Sequence, residues 1–558
     1  MFVRQLNKGN KSYFYIIKSF YDKKKKAPRQ KRIADITGLP AQLIDLIREF
    51  LRGKKIQRIT NKELSGLKIS ASRLFGPLWI CLHFWLEMRI DAVFTDKKEF
   101  RRLTGMVLAR VVAPRSEMAM AKWLRKTALH LLWGGQESQW QREYFYPILT
   151  KLTQLWPTIE EHLWKHREKS PRLYLYDITS TYFEGTGGSL GALGYSRDEK
   201  NGNPQVVIAL AADERGLPVA IRILRGNTKD DTTVRDSVKQ LQQKYKAEKV
   251  TLVMDRGMRG EANLEALQKS DFDYIIALKH KEAREFLKTH NSELEWELFD
   301  QRSIAEWQEG DKRYVLCRNP ETAKRDRKTR EKILSRAEKR LDSLVTMAEK
   351  GRIKNKEKIL VRAVKILTQT KTNAYFTYTA EEGLFTYQRT ERVPLDEAYE
   401  GCYILETALD KSISKKEVDD RYHTQHEVEE IFKACKDELK LRPNHHQKDE
   451  NIAGHIYLTF LAYFVQRYLE LKLMKNKCNE KASTFLDRFS DISVNTVHCN
   501  GQADHVVTQL DDKQRNALKL LNIFIPKGPV AGTLAKYYDL NIRLDFCYSF
   551  TVNDLVYS

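Results

Sequence analysis

The chain has 558 residues, a length that predicts several domains, and its hydrophobic content of 42% is sufficient for folded cores. The formal net charge of +23 and the clustering of basic residues favour a polyanionic partner, with nucleic acid as the first candidate. The seven cysteines form no CxxC pair and are odd in number, which argues against a disulfide scaffold or a structural zinc site and for a reducing compartment.

The first 40 residues alternate between apolar and polar types, which predicts a small basic β ribbon. Its basic run at residues 23–26 is either a phosphate-binding arm or a solvated loop. These residues lack the apolar core of a signal peptide. The longest apolar stretches, near residues 78–86 and 456–465, are too short or too interrupted to cross a bilayer. We therefore expect a cytoplasmic protein that does not bind membranes.

Residues 172–280 show three strand-like segments followed by alternating helices and strands, a βββαβαβ order. This is the order of the ribonuclease H-like core, a mixed sheet flanked by helices. Residues 286–415 interrupt it with strand-like pieces and a helical stretch rich in Lys and Arg. That stretch is either a solvated helical hairpin or a DNA clamp.

The predicted fold is an α+β multidomain protein with a ribonuclease H-like mixed-sheet catalytic core, a β-rich insertion in that core and a mainly helical N-terminal region. Six regions are expected along the chain. They are a basic β ribbon at 1–40, a helical region at 41–165, the first part of the core at 166–285, the β-rich insertion with its basic helical excursion at 286–415, the catalytic helix and core completion at 416–475, and a C-terminal region of unknown role at 476–558.

Three acidic residues occupy positions that suit metal-dependent phosphoryl transfer. Asp177 and Asp255 each follow an apolar strand-like run, and Glu429 lies within a predicted helix. Carboxylates gathered at strand ends repel one another until a cation binds, and Mg²⁺ prefers such oxygen ligands. Two divalent cations can activate a water or a 3′-hydroxyl and stabilise the leaving oxygen. The pattern therefore predicts a site that cuts phosphodiesters.

On a helical wheel over residues 422–436, four polar residues share one narrow stripe beside a separate apolar face. The polar stripe consists of Tyr422, Gln425, Glu429 and Lys436. The apolar face, which is predicted to pack on the sheet, consists of Val428, Ile431, Phe432, Cys435 and Leu439. Lys436 would reach a phosphate as a point charge, while Tyr422 and Gln425 would hydrogen-bond to the DNA backbone. Glu430 lies about 100° from Glu429 on the wheel and is the weaker candidate.

Several histidines lie near or within this region and suggest a second metal site. They are His423, His426, His445, His446 and His455. No cysteine partners accompany them, and histidine is not a preferred Mg²⁺ ligand. We expect DNA contacts or capping from these side chains instead.

With these motifs in place, the sequence resembles the DDE transposases of bacterial insertion sequences, above all the insertion-sequence-four group and relatives with a β-rich insertion before the catalytic glutamate. That group has a signature of Tyr, two residues, Arg, three residues, Glu, six residues and Lys. The matching positions are Tyr422, Gln425, Glu429 and Lys436. Gln425 departs from the arginine of the signature and loses its charge and bidentate fork. Residues 176–184, 194–198, 205–210, 216–219, 226–233 and 254–258 also resemble the family.

The resemblance implies an enzyme that binds the terminal inverted repeats of its own element. Asp177, Asp255 and Glu429 would hold Mg²⁺, with Mn²⁺ as the alternative. Water would cut each transposon end to release a 3′-hydroxyl, which would attack double-stranded target DNA by direct transesterification. The residues that line the transposon end would be Tyr422, Gln425 and Lys436. Residues 41–165 would bind that end, and a homodimer would act in the synaptic complex, in the bacterial cytoplasm and on the nucleoid.

Two alternatives stay open. One is a ribonuclease H-like nuclease or resolvase that cuts DNA but performs no strand transfer. The other is a catalytically inactive DNA-binding protein, which Gln425 favours and the three intact acidic residues oppose. DNA cleavage that requires Mg²⁺ would separate the enzyme from the inactive protein.

Overall fold

The computed structural model describes residues 1–9, 11–22, 27–51, 68–168, 170–229, 233–245, 250–270, 272–310, 312–499 and 502–525. The basic run at residues 23–26 and the segment 526–558 therefore lie outside the described residues. Within the described ranges, no helix combines the length and the apolar composition that crossing a membrane requires.

The strands are numbered in chain order. They are β1 Phe2–Lys8, β2 Lys11–Asp22, β3 Ala27–Asp35, β4 Lys68–Leu74, β5 Leu173–Tyr182, β6 Gln205–Asp213, β7 Pro218–Arg225, β8 Thr251–Met254, β9 Asp273–Ala277, β10 Glu297–Phe299, β11 Arg302–Glu309, β12 Lys312–Arg318, β13 Phe376–Glu381, β14 Leu384–Arg389, β15 Cys402–Thr407, β16 Ser493–Cys499 and β17 Gln502–Val507.

The helices follow the same convention. They are α1 Ala41–Leu51, α2 Gly76–Glu87, α3 Lys97–Val112, α4 Glu117–Leu124, α5 Leu129–Leu132, α6 Phe145–Lys165, α7 Thr233–Tyr245, α8 Glu261–Gln268, α9 His280–His290, α10 Pro320–Glu349, α11 Lys356–Thr370, α12 Arg392–Tyr399, α13 Lys415–His423, α14 His426–Lys433, α15 Asp449–Lys475, α16 Ala482–Asp487 and α17 Asp512–Leu521.

The predicted order βββαβαβ is confirmed as β5-β6-β7-α7-β8-α8-β9. These strands belong to a nine-stranded mixed sheet with the order β10-β11-β12-β15-β9-β8-β5-β6-β7. Strands β5, β8 and β9 are parallel, and the other neighbours are antiparallel. The parallel strands β8 and β9 are buried almost throughout, as expected for a sheet that helices cover on both faces.

Residues 286–415, predicted as a β-rich insertion with a basic helical excursion, contribute strands to the main sheet. Strands β10, β11, β12 and β15 extend the main sheet, because β15 pairs with both β12 and β9. The excursion between β12 and β15 is mainly helical, with the long helices α10 and α11 packed against the small hairpin β13–β14. Apolar residues at helical spacing explain this core, since Leu334, Leu341 and Leu344 of α10 are all buried.

The long helix α15 lies between the N-terminal helices and the sheet. It packs against α2, α3 and α6 on one side and against β7 on the other. The approach to α6 is close, because a Cβ atom built on Gly454 would clash with the carbonyl oxygen of Leu149. The rings of Trp156 and Tyr457 stack at 4.1 Å along the same contact. This contact joins the helical region to the region of the sheet.

Two smaller sheets complete the described structure. The predicted N-terminal ribbon forms a three-stranded antiparallel sheet of β1, β2 and β3, with most side chains exposed. Strand β16, from the region without a predicted role, pairs with β4 and β17. The chain therefore returns at its C-terminal side to the segment that precedes α2.

Candidate active site

Asp177 and Asp255 lie on neighbouring parallel strands at the same level. In the pairing of β5 with β8, Tyr176 is opposite Met254. Asp177 directly follows Tyr176, and Asp255 directly follows Met254. Asp255 follows the end of β8, as the sequence predicts, and its side chain is 52% exposed. Asp177 instead lies within β5, which continues to Tyr182.

Glu429 reaches the same region from helix α14. This helix packs against β5 and β6 through its apolar face. The predicted apolar residues Val428, Ile431, Phe432, Cys435 and Leu439 are all buried, so that part of the prediction is confirmed. The side chain of Glu429 is exposed beside this buried face.

The three carboxylates lie close enough for Asp255 and Glu429 to act on the charge of Asp177. Burial, together with the negative charges of Asp255 and Glu429, raises the pKa of Asp177 to about 7. The backbone amide of Ile178 opposes this shift by donating to Asp177 Oδ1 at 2.7 Å. A bound cation would relieve this repulsion, and three carboxylates are the hard oxygen donors that Mg²⁺ prefers. Asp177, Asp255 and Glu429 therefore suit a divalent metal.

The helix that carries Glu429 is interrupted on both sides, unlike the continuous helix assumed on the wheel. Before α14, the hydroxyl of Thr424 donates to the Arg421 carbonyl at 2.6 Å, and the Glu427 amide donates to Thr424 only three residues back. After α14, residues 434–438 form a π-helical turn, in which the Leu439 amide donates five residues back to Ala434. A constant rotation of about 100° per residue does not hold across such a turn.

Tyr422 lies at the end of α13, beside Asp255 and Arg256. Burial, with the charge of Asp255 as a further cause, raises the pKa of the Tyr422 hydroxyl to about 12. The ring of Tyr422 is 5.7 Å from that of Tyr403. At neutral pH, Tyr422 is therefore a neutral group beside one of the candidate metal ligands.

Gln425 is buried and bonded within the protein, at 8% exposure. Its Nε2 donates to the carbonyl oxygen of Tyr176 at 3.0 Å. A carbonyl oxygen can only accept, so this bond fixes the orientation of the amide. Gln425 Oε1 is also buried, and no described residue donates to it.

Lys436, in the π-helical turn, is buried as well. Its Nζ is 2.8 Å from Oδ1 of Asp198, a carboxylate that also pairs with Arg442. Burial lowers the pKa of Lys436, and Asp198 opposes that shift. Gln425 and Lys436 thus have protein partners here, and their contacts with DNA stay predictions.

Two groups of residues that the sequence reasoning missed border the carboxylates. Arg197 adds positive charge near Asp177. Arg256 Nη1 is 2.6 Å from Nε2 of His280, and the Arg256 Nε atom is 3.9 Å from Asp255 Oδ1. The position of Arg256 directly after Asp255 was the available signal, whereas no pattern in the sequence placed Arg197 beside Asp177.

Arg259 holds the turn after Asp255 in place through two ion pairs. Its guanidinium is 2.8 Å from the buried Glu406 of β15 and 2.7 Å from Glu282 of α9. Glu406 also accepts from the hydroxyl of Tyr274 at 3.0 Å. A carboxylate on the strand that returns from the α10–β14 excursion therefore supports the position of Asp255.

Two of the histidines lie in a buried cluster away from the three carboxylates. The ligand atoms of Glu117, His446 and His455 lie within 4.8 Å of one another, and the described part of the chain contains no other such group. Arg110 already supplies a cation there, 3.3 Å from His455 Nδ1 and 3.4 Å from Glu117. The side chains of His446 and His455 are both buried, and the DNA contacts or capping expected of them stay predictions.

The comparison with family models identifies the kind of domain. Among solved structures, the chain is similar to piggyBac transposase in a cryo-EM structure of a synaptic complex with hairpin DNA, with 11% identity, 77% of each chain covered and a TM-score of 0.38. No curated protein matches the chain significantly. The family model for the transposase DDE domain matches residues 168–465, which is more than half of the 558 residues and includes the three carboxylates. The chain therefore belongs to the transposase DDE domain family.

Proposed function

We propose that this protein is the Mg²⁺-dependent transposase of an insertion sequence. It would bind the terminal inverted repeats, cut the phosphodiester at each transposon end and join the ends to target DNA. The observation that carries the proposal is the placement of three carboxylates: Asp177 and Asp255 at the same level of paired strands, and Glu429 on a helix that packs on β5. The order β5-β6-β7-α7-β8-α8-β9 supports a ribonuclease H-like core around these residues.

The chain's own residues would hold and orient the reacting groups. A bound Mg²⁺ would supply activation of the attacking oxygen and stabilisation of the leaving oxygen. Asp177 is fixed within a buried strand, so it would hold its position as DNA arrives. Asp255 and Glu429 are exposed and would meet the scissile phosphate from the neighbouring strand end and from the helix. These three residues are proposed as both the catalytic residues and the metal ligands.

The DNA contacts of the site are proposed on charge and position. Tyr422 offers a neutral hydroxyl beside Asp255 and would donate to a backbone phosphate. Lys436 would contribute its positive charge from the π-helical turn, and a phosphate could replace Asp198 as its partner. Gln425 occupies the remaining position of the polar stripe, but its amide is buried and bonded to the backbone of β5.

The remaining parts of the molecule would serve the assembly. The helical region at residues 41–165 would bind the transposon end, and the excursion between β12 and β15 would help to hold the DNA. The net charge of +23 supports a polyanionic partner. Two ends must be joined, so a homodimer would form the synaptic complex with double-stranded DNA, in the bacterial cytoplasm and on the nucleoid.

The deciding experiment is cleavage of a labelled duplex that carries the terminal repeat, with Mg²⁺ or Mn²⁺. We expect cuts at the repeat boundary that require metal, and we expect Glu429→Gln to reduce them to the level seen without metal. Glu430→Gln is the matched control, because Glu430 is exposed on the same helix and pairs only with Lys433 among the described residues. It should cut like the wild type.

Other outcomes identify the alternatives. A wild-type protein that binds the repeat but never cuts under either metal would be the inactive DNA-binding protein. A protein that cuts the ends but never joins them to a target duplex would be a ribonuclease H-like nuclease without strand transfer. Equal loss of cleavage in Glu429→Gln and Glu430→Gln would remove Glu429 from its proposed role.

A further inference from the structure

Gln425 stands where the two elements that carry Asp177 and Glu429 meet. It lies in the turn between α13 and α14, four residues and about one helical turn before Glu429. Its Nε2 donates to the carbonyl of Tyr176, the residue directly before Asp177. One hydrogen bond therefore connects the start of the helix that carries Glu429 to the backbone beside the aspartate of β5.

The bond forms where the neighbouring strand ends. Tyr176 is the last residue of β5 that pairs with β8, because β8 ends at Met254. A buried backbone carbonyl needs a donor, and beyond the end of a ladder that donor has to come from elsewhere. The side chain of Gln425 supplies it.

The surroundings of Gln425 suit a neutral amide better than an arginine. The side chain is buried, and the Tyr176 carbonyl is its only hydrogen-bond partner among the described residues. A guanidinium brings five N–H donors and a permanent charge, which one carbonyl could not satisfy. The glutamine that replaces the arginine of the signature therefore suits a hydrogen bond within the protein, to the Tyr176 carbonyl.

We propose that Gln425 is a positioning residue that sets the spacing between Asp177 and Glu429, and that it does not contact DNA. The inference rests on the proposed function of this site. Without the bond, the start of α14 would be free to shift against β5, and the metal ligands on the two elements would lose their fixed separation. Groups that orient metal ligands in other proteins typically change metal affinity by about 10- to 100-fold.

The test measures metal binding apart from catalysis, using full-length Gln425→Met. Methionine keeps the approximate size of the side chain but cannot donate to the Tyr176 carbonyl. We expect Mn²⁺ affinity, measured by electron paramagnetic resonance without DNA, to fall by about 10- to 100-fold. The Mg²⁺ concentration for half-maximal cleavage should rise by the same factor, and saturating metal should restore most of kcat. Affinity for repeat DNA in EDTA, and its salt dependence, should not change.

Gln466→Met is the matched control. Gln466 is a buried glutamine of α15 whose Nε2 donates to Glu438 at 2.6 Å, away from the three carboxylates. Its loss should lower the unfolding temperature without changing Mn²⁺ affinity. If Gln425→Met does not fold, Gln425→Asn, which keeps the amide on a shorter side chain, replaces it with the same expected loss of metal affinity.

The remaining outcomes separate the two proposals. A weaker affinity for DNA with an altered salt dependence and unchanged Mn²⁺ binding would overturn the positioning role and make Gln425 a DNA contact. If Gln425→Met binds both Mn²⁺ and DNA as the wild type does, the positioning role is also overturned. The same holds if Mn²⁺ binding by the wild type does not depend on Asp177. A wild type that binds Mn²⁺ through Asp177 but cuts no DNA would refute the transposase proposal alone, and the Mn²⁺ affinity of Gln425→Met would still decide the role of Gln425.

Discussion

His455 is buried as a neutral imidazole between a cation and a carbonyl oxygen. Its Nδ1 accepts from Arg110, so the proton lies on Nε2, which is 3.3 Å from the carbonyl oxygen of Leu441. Burial, together with the charge of Arg110, lowers the pKa of His455 from 6.5 to about 4. Nε2 of His455 thus joins α15 to the segment that follows the π-helical turn, while Nδ1 can accept from Arg110 only in the neutral form.

This environment predicts that His455 itself destabilises the fold in mild acid. Below pH 6.5 the unfolded chain protonates His455, while the folded chain keeps it neutral down to about pH 4, so His455 lowers the free energy of unfolding across that interval, whereas the raised pKa of Asp177 acts in the opposite direction. The slope for one such group is about 1.4 kcal/mol per pH unit. Urea unfolding at several pH values between 7 and 4.5 measures it. His455→Asn should be less stable at pH 7 but should show a shallower decline, and parallel declines for the two proteins would contradict the prediction.

Single residues also show where sequence patterns succeed and where they fail. Asp255 could be placed because its strand ends in a turn containing glycine. The end of β5 was missed because β-branched residues and a tyrosine follow Asp177, and these extend a strand as readily as the residues before it. Lys436 was placed on the polar stripe because the wheel assumed one rotation per residue, which a π-helical turn changes.

At the scale of whole elements, helices α6 and α15 approach each other closely. Gly454 allows it, because the backbone of α6 occupies the space where a side chain would begin. This contact is possible because glycine has no side chain. The pattern of apolar residues could therefore predict both helices but not the distance between them. The same limit explains why the sequence predicted strands in residues 286–415 without predicting that β10, β11, β12 and β15 join the main sheet.

Gly454→Ala should therefore destabilise the protein by about 1–3 kcal/mol, because the added methyl group would force two packed helix backbones apart. Chemical denaturation followed by tryptophan fluorescence measures the change, since Trp156 lies at this contact. Gly38→Ala is the control, because no heavy atom lies within 4 Å of a Cβ atom built there. A similar, small effect for the two substitutions would show that α6 and α15 can separate at no cost.

On the scale of the whole molecule, part of the large positive charge is aligned along one helix. Helix α10 has 30 residues and is about 45 Å long. Five exposed basic residues follow one stripe of it, opposite the buried face. They are Arg325, Lys328, Lys332, Arg336 and Lys339. Their spacing of three or four residues aligns them along about 20 Å of the helix, which suits a row of backbone phosphates.

If this stripe holds DNA, removing its charge should reduce affinity in a salt-dependent way. Changing Lys328, Lys332 and Lys339 together to Gln should weaken binding to any duplex, and the slope of log K against log salt should decrease by about 0.9 for each phosphate that the protein no longer neutralises. The same three positions changed to Arg form the control, because the charge is kept. An unchanged slope in the Gln variant would identify α10 as a solvated helix.

The order of strands in the large sheet has a consequence for how the protein is made. Strand β15 is inserted between β9 and β12, and Glu429 follows it, so neither the sheet nor the carboxylate cluster can close before the α10–β14 excursion has been synthesised. Pairings between distant segments form slowly, and large proteins pass through partly folded intermediates. A nascent chain that has produced Asp177 and Asp255 thus has no complete cluster. On the proposed function, the newly made protein would become able to cut only after the ribosome has passed α14, and any action on DNA would be delayed until most of the chain exists.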